Sequence, residues 1–305
     1  MASTKRRIID AHHHFWNVER NYHPWLRDDP PIPFRYGDYS ALRRNYLEAD
    51  YRRDAQAYEI AGSVYVETEW DPSDHEGEMR YVRDLRNEPQ GIGRLPTVAV
   101  AHVRLDDPLA RPKLEHQRSF DFVRSIRHKP RANPQPGGPP GGMTDAAWRA
   151  GYALLAELDL RFDLQTPWWH MEEAIDLART HSATPIIINH SGLPADRSRA
   201  GLDAWKAALR SISHCPQVCI KISGIGVPGH AWTAEANREI VLWLIECFGV
   251  PRCMFASNFP VDSLCASFDA IFGGFEAIVA DFSPAEQHAL FCANANRIYD
   301  MRLPV

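Results

Sequence analysis

Residues Arg7 to Asn17 read R-I-I-D-A-H-H-H-F-W-N, and this stretch decides between the two fold classes that the rest of the chain allows. The apolar pair Ile8-Ile9 opens what reads as a short buried strand, and three consecutive histidines follow it. A doubly wound open sheet is expected to carry a glycine-rich phosphate turn after its first strand. Imidazole and aromatic rings occupy that turn here, so the stretch favours a closed barrel.

Eight short apolar segments recur along the chain, and most are followed by a segment with helical periodicity. Continuous β-branched runs such as P-I-I-I-N are typical of strands buried on both faces of a parallel sheet. The sequence therefore predicts one α/β domain over residues 1–305, a single (β/α)8 TIM barrel. The predicted strands are Arg7–Ala11, Ser63–Glu67, Leu95–Val103, Phe120–Ile126, Leu160–Gln165, Pro185–Asn189, Val218–Ile222 and Cys253–Ala256.

The segments between these strands read as helices. Thr233 and Ser283 open two of them as N-cap residues, and Glu286 completes a capping box with Ser283. A third contains the run W-H-M-E-E-A-I-D-L-A-R-T-H, which places its apolar residues on one face. The others are predicted near Leu47–Ile60, Asp74–Arg86, Asp106–Gln117, Met143–Leu158 and Gly201–Ile212.

Composition restricts the classes of partner. The chain has 305 residues, with 34 basic and 39 acidic side chains and a net charge of −5. Basic runs are short and lack interleaved aromatics, so we predict no nucleic-acid partner. No apolar stretch reaches the length of a secretory signal or a membrane span, so we predict a cytoplasmic protein without a membrane partner. The six cysteines show no CxxC pair and are expected to be free thiols.

One segment, His128–Gly142, is too rich in proline and glycine to form a helix or a central strand. In a barrel it is the loop that leaves the fourth strand on the catalytic face. A flexible spacer, a lid and a contact between subunits of a homo-oligomer all remain open as its role.

Polar side chains stand at most of the predicted strand ends. In a TIM barrel these ends converge on one pocket, and the burial of so many polar groups without a shared purpose is costly. Alternation along an extended chain places His12 and His14 on one side and His13 on the other. The candidates from the remaining strands are Glu67, Arg124, Arg127, His128, Asp163, Gln165, Trp168, His190, Lys221, Asn258 and Asp262, with Trp16 beside the first strand.

Four motifs together resemble the amidohydrolase superfamily, and in particular the amidohydrolase-related branch that includes sugar-acid lactonases and 2-pyrone-4,6-dicarboxylate lactonase. They are I-D-A-H-H-H-F-W near the N-terminus, N-H-S-G at strand six, K-I-S-G at strand seven and F-A-S-N-F-P-V-D at strand eight. The resemblance runs over nearly the whole chain. It implies that His12, His14 and His190 hold one divalent metal, zinc or manganese, or polarise a substrate carbonyl without a metal.

The chain departs from the family pattern at strand eight. The resemblance implies an aspartate there that binds the metal or takes a proton from the attacking water, and Asn258 stands in its place. An amide is not a general base near neutral pH. Asn258 is therefore interpreted as a positioning residue, and Asp262, Asp163 and Glu67 are the candidate bases.

The resemblance implies an enzyme, a hydrolase of carboxylic esters that opens a small cyclic ester. In this interpretation His12, His14 and His190 stabilise the developing oxyanion. Arg124, Arg127 and His128 are predicted to contact a small-molecule substrate, since guanidinium groups match carboxylates in a two-pronged geometry. Glu67, Asp163, Gln165, Trp16 and Trp168 complete the predicted substrate contacts. Two alternatives stay open: a metal-dependent decarboxylase of an aromatic or unsaturated acid, and a barrel that binds a small molecule without catalysis.

Overall fold

The computed structural model describes residues 5–87 and 95–304. Eight parallel strands lie side by side in the order in which they occur in the sequence. Helices or irregular segments connect each strand to the next, which confirms the predicted TIM barrel for the part of the chain described. The strands are β1 (Arg7–His13), β2 (Glu59–Val66), β3 (Val98–His102), β4 (Val123–Arg127), β5 (Arg161–Leu164), β6 (Ile186–Ile188), β7 (Val218–Ile222) and β8 (Cys253–Phe255).

The helices surround the strands, and a short π-helix, Ala289–Ala293, joins the last two of them. Ser283 and Glu286 form the expected capping box at the start of α10. In the described residues the α-helices are α1 (Pro24–Arg27), α2 (Glu48–Asp54), α3 (Gly77–Asn87), α4 (Ala110–Ser119), α5 (Ala146–Glu157), α6 (Met171–Thr180), α7 (Arg199–Ser213), α8 (Ala234–Phe248), α9 (Phe268–Ile278), α10 (Pro284–His288) and α11 (Asn294–Ile298).

The barrel closes between β8 and β1 through the residues that follow β8. The backbone N–H of Asn258 donates to the carbonyl of His12, and the N–H of His14 donates to the carbonyl of Phe259, both at 2.8 Å. Asp10 adds a side-chain link, since it accepts hydrogen bonds from the backbone N–H (2.8 Å) and the hydroxyl (2.6 Å) of Ser257. The first strand is thus fixed to the last at the end where the histidines lie.

The barrel interior is packed with small and branched side chains. One buried cluster gathers inward-facing residues of β1, β2, β3, β6, β7 and β8 together with residues of α11. The interior is therefore a core and not a channel, as expected for eight strands. Polar groups replace the apolar side chains only towards the carboxyl ends of the strands, so the chemistry is confined to that end.

A register shift in β1 sets the direction of the histidines. Pairing between β1 and β2 is irregular between Asp10 and His13, as at a β-bulge. Ala11 packs in the interior cluster, and His12 also points inward, whereas His13 packs outward against Tyr51. Strict alternation from Ala11 would have turned His12 outward. The bulge therefore directs both His12 and His14 to the barrel mouth.

Several predicted bounds change in the structure. The helix predicted over Leu47–Ile60 ends at Asp54, because β2 begins at Glu59. Helix α9 was not predicted, because its apolar run F-D-A-I-F-G-G-F-E-A-I contains two adjacent glycines. The predicted domain of residues 1–305 includes positions 1–4, 88–94 and 305, which lie outside the described residues.

The loop 128–142 is largely irregular, as predicted, and two of its contacts are with the start of α6 and the residue before it. His170 Nε2 accepts from the backbone N–H of Asn133 at 3.0 Å, and Glu173 accepts from the N–H of Gly141 at 2.7 Å. The six cysteines are free thiols, as expected. No helix in the described ranges is both long and apolar enough to cross a membrane.

We expect the Ser257→Ala substitution to lower the free energy of unfolding by about 1–3 kcal/mol, because Asp10 then loses a donor in a fully buried position. Ser211→Ala is the matched control, since Ser211 lies on the exposed face of α7. Urea denaturation at pH 7 measures both variants. Equal stability of the two would contradict the assigned role of Asp10 in closing the barrel.

Candidate active site

A cavity of about 310 Å³ lies at the carboxyl ends of the strands. Its walls come from the ends of β1, β2, β4, β5 and β6, from residues after β8, and from the long segment between β1 and β2. The volume is at the lower end of the range for small-ligand pockets. The predicted site residues that line it are His14, Trp16, Glu67, Arg127, Gln165, His190 and Asn258.

Three imidazole rings from β1 and the end of β6 are in contact at the base of this cavity. The ring centroids of His12 and His14 are 5.0 Å apart, and those of His12 and His190 are 4.5 Å apart. His14 and His190 line the cavity, whereas His12 is completely buried beneath them. The structure therefore brings the three predicted histidines together, with His12 in the deeper layer.

The hydrogen-bond partner of His14 fixes its tautomer. Its Nδ1 lies 2.8 Å from the backbone carbonyl of Val66, and a carbonyl can only accept, so Nδ1 carries the proton. Nε2 of His14 is therefore left with a lone pair. Trp16 lies beside this ring in a stacked arrangement, with centroids 6.2 Å apart, and holds its plane.

A buried ion pair lies beneath His12. Lys221 Nζ, on β7, is 2.6 Å from Asp163 Oδ1, on β5, and both side chains are fully buried. Asp163 also accepts hydrogen bonds from Ser125, Asn189 and Tyr299. Four donors thus surround one buried carboxylate. Burial lowers the pKa of Lys221, and the contact with Asp163 opposes that shift. Asp163 thus lies in the barrel interior and not in the cavity where it was predicted.

The same lysine orients His12. Lys221 Nζ lies 3.5 Å from His12 Nδ1, at the long end of hydrogen-bond distance. An ammonium group only donates, so Nδ1 of His12 is the acceptor and Nε2 carries the proton. His12 Nε2 is buried and has no hydrogen-bond partner among the described residues. An unpaired buried N–H is costly, so it indicates a place where a bound oxygen atom is expected.

Burial keeps the imidazoles neutral at pH 7. Desolvation, reinforced by nearby positive groups, lowers the pKa of His12 and His190 well below the usual value. Burial, together with the charge of Arg127, lowers the pKa of His14 to about 3. The cluster therefore offers one lone pair at His14 and one N–H at His12 without adding a positive charge to the site.

Asn258 faces this cluster, and Asp262 holds it in place. Asn258 Nδ2 donates to Asp262 Oδ1 at 2.6 Å, which leaves Asn258 Oδ1 buried and without a hydrogen-bond partner in the described chain. Asp262 also accepts from Tyr36 and from the N–H of Gly224, and burial raises its pKa. Asp262 does not line the cavity, because its oxygens face these donors. The geometry makes it an orienting group for Asn258 instead of the predicted base.

The backbone is strained where the histidines and Asn258 enter the site. His190, Ser191, Leu193 and Asn258 adopt positive φ angles of 52°, 57°, 59° and 56°. Asparagine tolerates this left-handed region, but leucine and histidine enter it at a cost. Such strain persists where the surrounding structure enforces it, and it commonly accompanies functional sites.

A buried ion pair forms one wall of the cavity. Arg127 Nε lies 2.5 Å from Glu67 Oε1, and Arg127 Nη1 donates to Gln165 Oε1 at 2.8 Å. His102 Nδ1, at the end of β3, donates to the Arg127 carbonyl and fixes that strand end. Glu67 is held as an anion by its arginine partner, which makes it a weak proton acceptor. It is thus a structural wall and not a free base.

Two further cations lie at the cavity mouth. Arg35 is 30% exposed; it lies over the Tyr36 ring at 4.3 Å, and its polar contacts in the described chain are long, 3.4 Å to the Gly224 carbonyl and 3.5 Å to Asp262. Lys129 pairs with Glu69 at the rim. Arg35 therefore has the weakest protein contacts of the two arginines that line the cavity, and it is available to a ligand oxygen.

Besides Asp163, three further predicted contact residues lie outside this cavity, and their prediction was wrong. Arg124 lies at the amino end of β4, where it donates to the Asp121 and Asp300 carbonyls. The carboxyl end of β4 is three residues further along the strand, roughly 10 Å from Arg124. His128 faces a neighbouring cavity. Trp168 packs edge-on against Trp169 and lines neither cavity.

Arg35 and the aromatic residues around it were not among the predicted site residues. They come from P-P-I-P-F-R-Y, residues 30–36, in the segment between β1 and β2. The length of this connection could have indicated a functional segment, since 45 residues separate His13 from Glu59, far more than a barrel loop needs. Loops of that length in a TIM barrel commonly carry function.

The three histidines do not fit a metal centre in this arrangement. No group of three or more His, Cys, Asp or Glu residues in the described parts of the chain has the geometry to hold a metal ion. A metal-bound histidine normally donates its second N–H to a carbonyl or carboxylate, as His14 does to Val66. His12 instead faces the ammonium of Lys221, which is itself a donor. His12 thus has a hydrogen-bond donor where a metal-bound histidine has an acceptor, and this contact does not fit metal binding at His12.

His13 is the structural member of the triplet, and we expect it to make the protein sensitive to acid. Burial lowers its pKa well below 6.5, so the unfolded chain binds a proton near pH 6.5 that the folded chain does not. Stability is therefore lost as the pH falls below 6.5. Between pH 7 and pH 5 this single group accounts for about 2 kcal/mol.

Urea denaturation of wild type and His13→Asn at both pH values measures this difference. We expect the variant to lose less stability on acidification than the wild type. His230→Asn, at an exposed position, is the control and is expected to behave as the wild type does. The same loss in His13→Asn as in the wild type would contradict the assignment.

Comparison with known proteins agrees with the fold. The amidohydrolase family model matches residues 9–301. The uncharacterised protein y4mH of Sinorhizobium fredii is 36% identical over 96% of this chain and 98% of its own length. An L-fucono-1,5-lactonase of Burkholderia multivorans is 25% identical over 97% of each chain. A crystal structure of a Burkholderia multivorans amidohydrolase with bound zinc has a TM-score of 0.79 at 24% identity, and covers 97% of this chain and 99% of that one. The chain belongs to the amidohydrolase family.

Proposed function

We propose that this protein is a lactonase, which hydrolyses a small cyclic ester by attack of water on its carbonyl carbon. The observation that carries the proposal is the neutral imidazole cluster at the barrel mouth. Its Nε2 lone pair at His14 lies in the same cluster as an N–H of His12 and an acceptor of Asn258 that have no hydrogen-bond partner among the described residues. Acyl transfer to water needs a donor for the developing oxyanion and an acceptor for the proton of the water. The similarity to an L-fucono-1,5-lactonase supports this class of reaction.

The carbonyl oxygen of the lactone is bound at the base of the cavity. In the proposed complex this oxygen enters between His14 and His190 and reaches the buried Nε2–H of His12, which donates to it and stabilises the negative charge that it gains in the transition state. Lys221 strengthens the effect, because its buried positive charge acts on the same ring through Nδ1. Removal of one such donor typically reduces the rate by a factor of about 10²–10³.

The attacking water lies between His14 and Asn258. Asn258 Oδ1 accepts one of its hydrogen bonds, and His14 Nε2 takes a proton as the oxygen of water bonds to the carbonyl carbon. The low pKa of His14 makes it a weak base, but the nearby charge of Glu67 raises that pKa and stabilises the imidazolium that forms. Asp262 acts only through Asn258.

The tetrahedral intermediate then collapses. The bond between the carbonyl carbon and the ring oxygen breaks, and the leaving oxygen takes the proton from His14. The product is one open-chain hydroxy acid, and both imidazoles return to their starting state. Arg35 at the mouth is placed to bind a hydroxyl or carboxylate oxygen of the substrate.

Hydrolysis of L-fucono-1,5-lactone and D-glucono-1,5-lactone, followed with a pH indicator, tests the proposal. Metal content by plasma mass spectrometry is measured on the same tag-free protein, before and after chelation. We expect turnover that survives chelation, and a loss of kcat of about 10²-fold or more in His12→Ala and His14→Ala. His230→Ala is the control, because His230 is exposed and remote from the cavity, and full activity is expected.

Unchanged turnover in His12→Ala and His14→Ala would contradict the proposal, and so would activity that is lost on chelation and restored by zinc or manganese. Metal-dependent release of carbon dioxide from an aromatic acid, without lactone hydrolysis, would favour the decarboxylase. Stabilisation by lactones without any turnover would favour a binding protein.

A further inference from the structure

A second cavity of about 520 Å³ lies beside the active-site cavity. We name it the lateral cavity; it lies between the loops that follow β2 and β3, the end of β4, and helices α3 and α4. The mechanism above makes no use of it. Its volume is well within the range of ligand pockets.

The lateral cavity contains a buried carboxyl group, that of Glu78, for which the described residues provide no cationic partner. Glu78, on α3, is 4% exposed, and its Oε1 accepts hydrogen bonds from the Tyr65 hydroxyl and from the N–H and hydroxyl of Thr68. Its Oε2 accepts none of these bonds. Burial and the charge of Glu67 raise the pKa of Glu78 to about 7, so near neutral pH the group both accepts and donates hydrogen bonds.

Two other side chains that line the lateral cavity carry polar atoms: Gln117 is buried, and His128 is partly buried, with its Nε2 4.0 Å from Asp106 Oδ1. Gln117, on α4, is 1% exposed; its Nε2 donates to the His75 carbonyl, and its Oε1 has no hydrogen-bond partner in the described ranges. His128 Nδ1 accepts from the N–H of Leu105, so its Nε2 carries the proton and is a donor. Burial lowers the pKa of His128 to about 4, which keeps this ring neutral. The cavity thus contains matched donors and acceptors that the protein leaves unused.

The other walls restrict the chemistry of a ligand. Trp70 and Met79 give apolar faces, on which a ring can pack. The lining cations Lys113 and Arg104 form ion pairs with Asp107 and Asp106, so neither of them is an unpaired partner for an anionic ligand. An ammonium ligand would satisfy the carboxyl group but would oppose the N–H of His128. Hydroxyl groups both donate and accept, and they match the whole set.

The lateral cavity and the active-site cavity share a wall. Glu67, Glu69 and Lys129 line both of them. Glu67 is fixed by Arg127, but the Lys129–Glu69 pair is exposed by 37% and 47%. Exposed ion pairs of this kind contribute little stability, so the two side chains are readily displaced. Their displacement would join the two cavities.

We propose that the lateral cavity is a second subsite, which binds an uncharged polyhydroxylated ring of a substrate whose other end lies beside the histidines. The inference rests on the proposed function for the identity of the reacting end only. It extends that function to a substrate of two connected rings, in which the distal ring contacts Glu78, Gln117 and His128.

Calorimetric titration with cellobiose and with glucose tests the subsite without any need for turnover. We expect cellobiose to bind about tenfold or more tighter than glucose, and Glu78→Gln and Gln117→Met each to weaken cellobiose binding by about tenfold. Glu115→Gln is the control, because Glu115 lies on the exposed face of α4, and wild-type affinity is expected. Thermal unfolding identifies any variant that does not fold, and either variant alone is sufficient for the test.

Equal affinities for the two sugars, or cellobiose binding that is insensitive to both substitutions, would overturn the proposal. Tighter binding of glucosamine than of glucose, lost in Glu78→Gln, would also overturn it and would assign the cavity to an ammonium ligand. Cellobiose binding that is sensitive to the variants, in a protein that hydrolyses no lactone, would support the subsite and count against the proposed reaction.

Discussion

The carboxylate of Asp10 is the interaction on which the rest of the structure depends. It accepts hydrogen bonds from the N–H of His12, the hydroxyl of Tyr51, and both the N–H and the hydroxyl of Ser257. It therefore stabilises the bulge in β1 and fixes β8 to β1 at once. Because that junction carries His12 on one side and Asn258 on the other, the contact that closes the barrel also sets the geometry of the site.

A second constraint is electrostatic. The barrel buries a lysine–aspartate pair, Lys221–Asp163, one layer below the imidazoles, where a charge would be costly without its partner. The pair is useful in this position because its ammonium group faces His12 and gives that ring a donor at Nε2. Burial, together with the charge of Lys221 at His12 and of Arg127 at His14, lowers the pKa of both rings, so the cluster stays neutral and keeps a lone pair at His14.

Much of the fold could be predicted from the sequence, because strands that are buried on both faces have continuous apolar runs. The absence of a glycine-rich phosphate motif after the first strand counted against a doubly wound open sheet. The convergence of His12, His14 and His190 was also predictable, since parallel strands share one carboxyl edge. Sequence alone did not indicate the bulge that directs His12 inward, because a bulge depends on contacts with β2 and Ser257. Arg35 was missed for a related reason, since its segment reaches the site only through tertiary packing.

The central claim is that the histidines are neutral and have opposite tautomers, and nitrogen NMR of 15N-histidine-labelled protein tests it most directly. At pH 7 the account predicts that His12 carries its proton on Nε2 and His14 on Nδ1, in the protein as purified and after chelation. A proton on Nδ1 of His12, with Nε2 shifted as in a metal-bound ring, would contradict it. So would a positively charged imidazolium at either residue.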